Sequence, residues 1–311
     1  MEKGAILKVN NLGISFTQYT KGLRRQELKV IDNLDIELYE GEILAVVGSS
    51  GSGKSLLANA ILGILPENAA LEGDIYYKGG PLYQRDKEKL RGREIALIPQ
   101  SVNSLDPLRR VGEQIIPSIK NRKERDKIIG NLFQKYDLEK EVINYYPHQL
   151  SGGMARKILL ATALACDAKL IIADEPTPGL DEFSLKEILE DFRELTDRGR
   201  ALLMITHDIK AALMIADKIA IFYAGTTLEI AAAKDFNGDG NRLRHPYTKA
   251  LNQARADMKF LPIKGTQPFP SKLPFGCLFS DRCSVKSERC QNERPELRLL
   301  RGGKVRCFNA T

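Results

Sequence analysis

"LAVVGSSGSGKSLLANAIL", Leu44 to Leu62, passes from an apolar block of strand type through a run of small residues into a helical pattern. Inside it Gly48, Ser49, Ser50, Gly51, Ser52, Gly53, Lys54 and Ser55 fit G-x-x-x-x-G-K-[ST], placed after a strand and before a helix. Small side chains let the backbone wrap a phosphate chain, so that successive N–H groups and the helix N-terminus face negative charge. Lys54 then reaches the outer phosphates as a point charge, and the Ser55 hydroxyl is placed to ligate Mg²⁺.

Outward from this loop, the short apolar blocks "ILAVV", "IALIP", "KLIIAD" and "ALLMIT" alternate with helical patterns. That order is the pattern of a parallel sheet covered by helices, an α/β fold. Upstream, Ile6 to Phe16 and Val30 to Leu38 alternate apolar and polar residues and predict antiparallel edge strands. Apolar positions Leu185, Ile188, Leu189, Phe192 and Leu195 predict a helix over 183–198, with Gly199 as its left-handed cap. Residues 103–165 read as an inserted helical subdomain and 235–241 as a loop. A proline-rich stretch and a cysteine cluster follow.

"LIIADEP", Leu170 to Pro176, ends an apolar strand on two adjacent acids, at the sheet edge where α/β proteins bind ligands. Asp174 suits Mg²⁺, and Glu175 suits a general base that polarises water. The 311 residues contain no apolar run long enough to cross a bilayer, and the N-terminus lacks the pattern of an export signal. These features predict a cytosolic chain, and the net charge of +7 fits nucleotide phosphates, an anionic inner membrane surface or nucleic acid.

A third motif, "QLSGGMARK" from Gln149 to Lys157, precedes the acid pair, and the chain here resembles the ATP-binding cassette (ABC) ATPases. The resemblance runs over about residues 5–235. It rests on the phosphate loop, Gln100 in "LIPQ", the LSGG signature, "LIIADEPTPGLD" and His207 in "MITHD". It implies an ABC-type P-loop ATPase with a RecA-like mixed sheet core, an antiparallel β edge subdomain and the helical insertion. Residues 1–240 would form this nucleotide-binding domain. Two cassettes would pair head to tail, so that Ser151, Gly152, Gly153 and Asp181 serve the ATP held by the partner. Gln100 would join Ser55 and Asp174 at Mg²⁺ and His207 would hold the γ-phosphate, so that Glu175, His207, Gln100 and Lys54 form the catalytic set. The adenine would stack on Phe16, with Tyr19 in reserve. The usual glutamine after LSGG is missing, since Met154, Ala155, Arg156 and Lys157 follow it, and "TPGLD" replaces the commoner "TxALD".

Residues 241–311 form a small cysteine-rich extension. "HPYTKAL", "LPIKGTQP" and "LPFGCLFSDRC" resemble the C-terminal extension of the oligopeptide, dipeptide and nickel importer ATPases. Cys277, Cys283, Cys290 and Cys307 are spaced C-x5-C-x6-C-x16-C and supply four thiolates, suited to zinc or a [4Fe-4S] cluster. Resemblance to importer ATPases whose extension carries an iron-sulfur cluster favours [4Fe-4S], with zinc as the alternative; Cys166, alone in a helical stretch, reads as core. The resemblance implies a peripheral subunit at the cytoplasmic membrane face, energising uptake of peptides or of nickel and metal-chelator complexes. Its partners would be a second ABC ATPase in a heterodimer, two permeases docked near 103–119 and an extracytoplasmic solute-binding protein, with no nucleic acid. The competing reading is a soluble ABC-type ATPase acting on nucleic acid, the ribosome or cluster assembly.

Overall fold

A computed structural model describes residues 4–20, 24–115 and 122–311. Residues 116–119 of the expected docking segment lie outside the described residues. In chain order the regular elements are β1 (Leu7–Thr20), β2 (Arg24–Leu38), β3 (Ile43–Val47), α1 (Lys54–Leu62), β4 (Ala69–Tyr77), β5 (Gly80–Pro81), α2 (Gln84–Leu90) and β6 (Ile95–Ile98). There follow α3 (Val111–Ile115), α4 (Arg122–Lys135), α5 (Gly152–Ala165), β7 (Leu170–Asp174), α6 (Glu182–Asp197), β8 (Ala201–Thr206), α7 (Ile209–Ile215), β9 (Lys218–Tyr223) and β10 (Thr226–Ala232). The C-terminal part adds α8 (Pro246–Gln253), α9 (Glu288–Asn292), β11 (Arg298–Leu300) and β12 (Gly303–Val305).

The strands form two sheets, a four-stranded one ordered β2-β1-β4-β5 and an eight-stranded one ordered β11-β12-β10-β9-β3-β8-β7-β6. From β9 to β6 neighbouring strands run parallel, and these are the apolar blocks read from the sequence, together with β9. Alternation assigns their side chains to two cores. Ile43, Ala45 and Val47 of β3 face a core shared with α5 and α6, while Leu44 and Val46 face one shared with α1 and the four-stranded sheet. Each strand is buried on both sides, which is why the blocks are continuously apolar.

Three expectations needed correction. The two N-terminal strands are antiparallel, but β1 is no edge strand: it lies between β2 and β4, and β4 had no clear pattern because its first six residues are not buried. Both hairpin strands also run further than their alternation predicts, since beyond Phe16 pairing continues as Thr17↔Glu27 and Gln18↔Gln26 with no core beneath. A 3-10 turn, Ala233–Phe236, occupies the start of the expected 235–241 loop, with Asp235 and Phe236 buried. The helix over 183–198 is α6, and Gly199 follows it at φ 85°, donating its N–H to Thr196 O.

The segment after residue 240 is built into the cassette sheet, with β12 pairing β10 and β11 pairing β12. A buried ion triad fastens the junction. Arg244 Nη1 lies 3.1 Å from Glu229 Oε1, and its Nη2 3.1 Å from Asp235 Oδ2. The backbone N–H groups of Arg244 and His245 donate to the two Glu229 oxygens, so the carboxylate is fully engaged.

Candidate active site

Register brings the site together. Val47 pairs Thr206 across β3 and β8, Asp174 pairs Ile205 across β7 and β8, and Ile98 pairs Ala173 across β6 and β7. All four strands end at the same edge of the sheet, so the loops leaving them deliver the phosphate loop, Gln100, the acid pair and His207 to one cleft. This cleft of about 280 Å³ is lined by Ser50, Gly51, Gly53, Lys54, Ser55, Gln100 and Glu175, with Val30 of β2 at its side. Larger clefts of about 700 and 520 Å³ lie elsewhere; the former is lined by the paired charges Arg306–Asp35 and Lys304–Glu37.

In the loop, a Cβ on Gly48 would stand 2.5 Å from the Phe222 carbonyl oxygen, and Gly53 caps α1 at φ 93°, so both positions need glycine. Lys54 is buried, and its Nζ donates to Gly48 O at 2.9 Å and Ser49 O at 2.8 Å. Burial pushes its pKa down, opposed by the charges of Glu175 and Asp174. Ser49 Oγ donates to Gln267 Oε1 at 2.7 Å, so the C-terminal segment touches the loop.

At the end of β7, burial raises the Asp174 pKa, while the Ser55 hydroxyl beside it pulls the other way. Asp174 Oδ1 is buried without a hydrogen-bond partner. An orphaned carboxylate oxygen next to a hydroxyl fits a cation such as Mg²⁺, which binds through one or two carboxylates plus substrate phosphates. Glu175 follows in the left-handed region at φ 47°, its N–H donating to Ile205 O at 2.8 Å. Its Oε1 is 3.9 Å from Lys54 Nζ, and its Oε2 is 2.8 Å from His207 Nδ1 and accepts from Thr206 Oγ1 at 3.3 Å. The carboxylate thus stands between the lysine and the histidine at the cleft mouth.

Residues 31–178 match the family model described as ABC transporter, and residues 228–290 match that of the oligopeptide/dipeptide transporter C-terminal region. The chain is 32% identical to the oligopeptide transport ATP-binding protein AppD of Bacillus subtilis, covering 97% of this chain and 96% of that one. It is 34% identical to the dipeptide transport ATP-binding protein DppD of Escherichia coli K12, over 96% and 95% of the two chains. The chain belongs to the ABC transporter ATP-binding proteins of the oligopeptide/dipeptide transport family. This ABC ATPase also shares its fold with the dimeric ATP-binding cassette MJ0796 bound to ADP and Pi. That likeness has a TM-score of 0.63 at 27% identity, over 73% of this chain and 98% of that chain.

The signature residues lie outside the cassette's own cleft. Ser151 caps α5, accepting from Met154 N–H at 3.2 Å, and Gly152 and Gly153 are exposed with open space around them. Asp181 caps α6, accepting from Ser184 N–H at 2.9 Å and Ser184 Oγ at 2.8 Å. Neither Phe16 nor Tyr19 lines the cleft: Phe16 is half-buried against the core below the hairpin, and Tyr19 is exposed. His207 lies with Nδ1 2.8 Å from Glu175 Oε2. Sequence reasoning passed over Thr206, Gln267 and Arg156. Only Arg156 left a signal, as an arginine in the stretch where the family's usual glutamine is missing.

In the extension, Cys277, Cys290 and Cys307 are buried and Cys283 half-buried, none of them in a disulfide. The backbone N–H groups of Phe279, Val285 and Asn309 point at the sulfurs of Cys277, Cys283 and Cys307, each two residues before its donor. Burial, with a smaller contribution from the other three cysteines, pushes the Cys307 thiol up to about 11. Among the described residues no three His, Cys, Asp or Glu side chains close on one point, as a single ion requires. Neither the zinc nor the iron-sulfur reading of the four cysteines is therefore supported by a gathered ligand set. Cys166 caps α5 half-buried and packs against the core, as its helical setting suggested.

Proposed function

We propose that this ABC ATPase is the energy-coupling subunit of a peptide importer, with Glu175 as the base that polarises water for ATP hydrolysis. The reading is carried by the Glu175 carboxylate, fixed between Lys54 and His207 at the mouth of the phosphate loop. The triphosphate lies along Gly48 to Ser55 with Lys54 on its outer phosphates. Ser55, Asp174 and Gln100 would hold Mg²⁺, which would supply positive charge to the bound phosphates. His207 leaves Glu175 to donate to the γ-phosphate. The exposed Ser151, Gly152 and Gly153, with Asp181, complete the site of a second ATPase subunit, since amides at a helix N-terminus favour a terminal phosphate. Exposed Leu108, in the segment after Gln100, belongs to the face that docks a permease at the cytoplasmic membrane surface.

Peptide cargo, rather than nickel or a metal chelator, is supported by the oligopeptide and dipeptide names of the relatives matched end to end. Those same matches leave the nucleic-acid reading without support. In the assembled complex, Glu175→Gln is expected to keep ATP binding and lower turnover by about 10² or more. Hydrolysis at the unsubstituted rate would show that another group is the base. Failure of a deletion strain to grow on peptides as sole nitrogen source would establish the cargo class.

We also propose that the four thiols hold a [4Fe-4S] cluster with a structural role, offsetting the ordering entropy of a loop-rich segment. Support comes from their spacing and from backbone N–H donors at three sulfurs. Protein purified without oxygen is expected to be brown, with about four irons per chain. Colourless protein with one zinc per chain would reverse the assignment.

A further inference from the structure

Arg156 sits on the second turn of α5, only 8% exposed. Among the described residues no carboxylate lies within ion-pair distance of it; its fork is spent on backbone carbonyls. Nη1 donates to Gln100 O at 3.1 Å and approaches Glu175 O at 3.5 Å, while Nη2 donates to Pro178 O at 3.0 Å. Those carbonyls belong to three segments of the site: the loop after β6, the acid at the end of β7, and the turn leading to Asp181. Burying a cation is unfavourable unless its donors are satisfied. A planar guanidinium can bridge several acceptors at fixed angles, whereas an ammonium cannot reproduce that fork.

Five residues earlier on the same rigid helix lies Ser151, whose end of α5 is exposed. Glu175, at the other end of the contact, holds a left-handed backbone, which persists only when its surroundings fix it. Its N–H is held by Ile205 and its carbonyl faces Arg156. A tilt of α5 therefore reaches Gln100, Glu175 and Pro178 together.

We propose that Arg156 is a positioning residue that couples the orientation of the LSGG helix to Glu175 and Gln100 of its own cassette. Contact of the helix tip with nucleotide on the partner subunit then aligns the hydrolytic carboxylate of the other site. The coupling rests on the reading of the site given above. It makes the two ATP sites communicate through one helix, and it assigns that task to a residue of the stretch in which this chain lacks the usual glutamine.

The test uses the assembled transporter bearing Arg156→Lys or Arg156→Ala, with MgATP as the probe. Both variants are expected to bind MgATP with a Kd within about two-fold of the unsubstituted complex, because the phosphate loop is untouched, and to lose roughly ten-fold or more in kcat. Guanidinium ion added to Arg156→Ala should restore part of that kcat, which a general loss of folding would not allow. If Arg156→Ala does not fold, Arg156→Lys carries the test, since it keeps the charge and loses the fork. Unchanged kcat in Arg156→Lys, or a fall in kcat matched by an equal rise in Kd, overturns the coupling. Absence of MgATP hydrolysis in the unsubstituted complex would sink the reading of the site itself, a different and distinguishable failure.

Discussion

His245 stays neutral in the folded chain because it is wholly buried, and burial lowers its pKa from 6.5 to about 3. Its Nδ1 accepts from Tyr247 N–H at 3.0 Å and caps α8. Between pH 6.5 and 3 the unfolded chain binds a proton that the folded chain refuses. Stability from this residue is therefore complete above pH 6.5 and is lost as pH falls, by about 1.4 kcal/mol per unit. His245→Asn keeps a capping oxygen without the titration. Denaturant melts at pH 7 and 5 are expected to show a smaller loss of stability for the variant than for the parent chain, by about 2 kcal/mol; equal losses would place the titration elsewhere. At this same scale Lys54, Asp174, Glu175, Gln100 and His207 were legible because each sits in a motif with a fixed chemical task. Thr206 and Gln267 were not, and Arg156 showed only as part of an unusual signature stretch, because their partners are far away in sequence.

At the scale of elements, the parallel strands were readable since burial on both faces demands unbroken apolar runs. The helix α6 was readable because only one of its faces is buried. The hairpin extension and β4 were less so: where a strand has no core beneath it, backbone pairing holds it and side-chain alternation carries no information. The tip of α5 has a double assignment. Its Ser151 and glycines suit an exposed N-terminus that receives phosphate, and its second turn suits burial against the chain's own loops. That division explains how one helix can serve two sites.

For the molecule as a whole, the ion triad of Arg244, Glu229 and Asp235 decides whether the segment after residue 240 is a tail or part of the body. Removing its cation leaves buried carboxylates without compensation. Arg244→Met is expected to lower the unfolding free energy by about 3–5 kcal/mol and to make the last 70 residues sensitive to limited proteolysis. A melt unchanged from the parent would show that the sheet pairing of β12 holds the segment unaided. The sequence alone determined the α/β class, the phosphate loop, the acid pair and the signature, because those features are local: a few adjacent residues must supply the phosphate-facing amides, the charge or the apolar run. Tertiary structure alone decided that the C-terminal strands join the cassette sheet, that Gln267 touches the phosphate loop and that Arg156 spans three loops. Such contacts join residues tens to hundreds of positions apart, and only the register of the sheet brings them within hydrogen-bond distance.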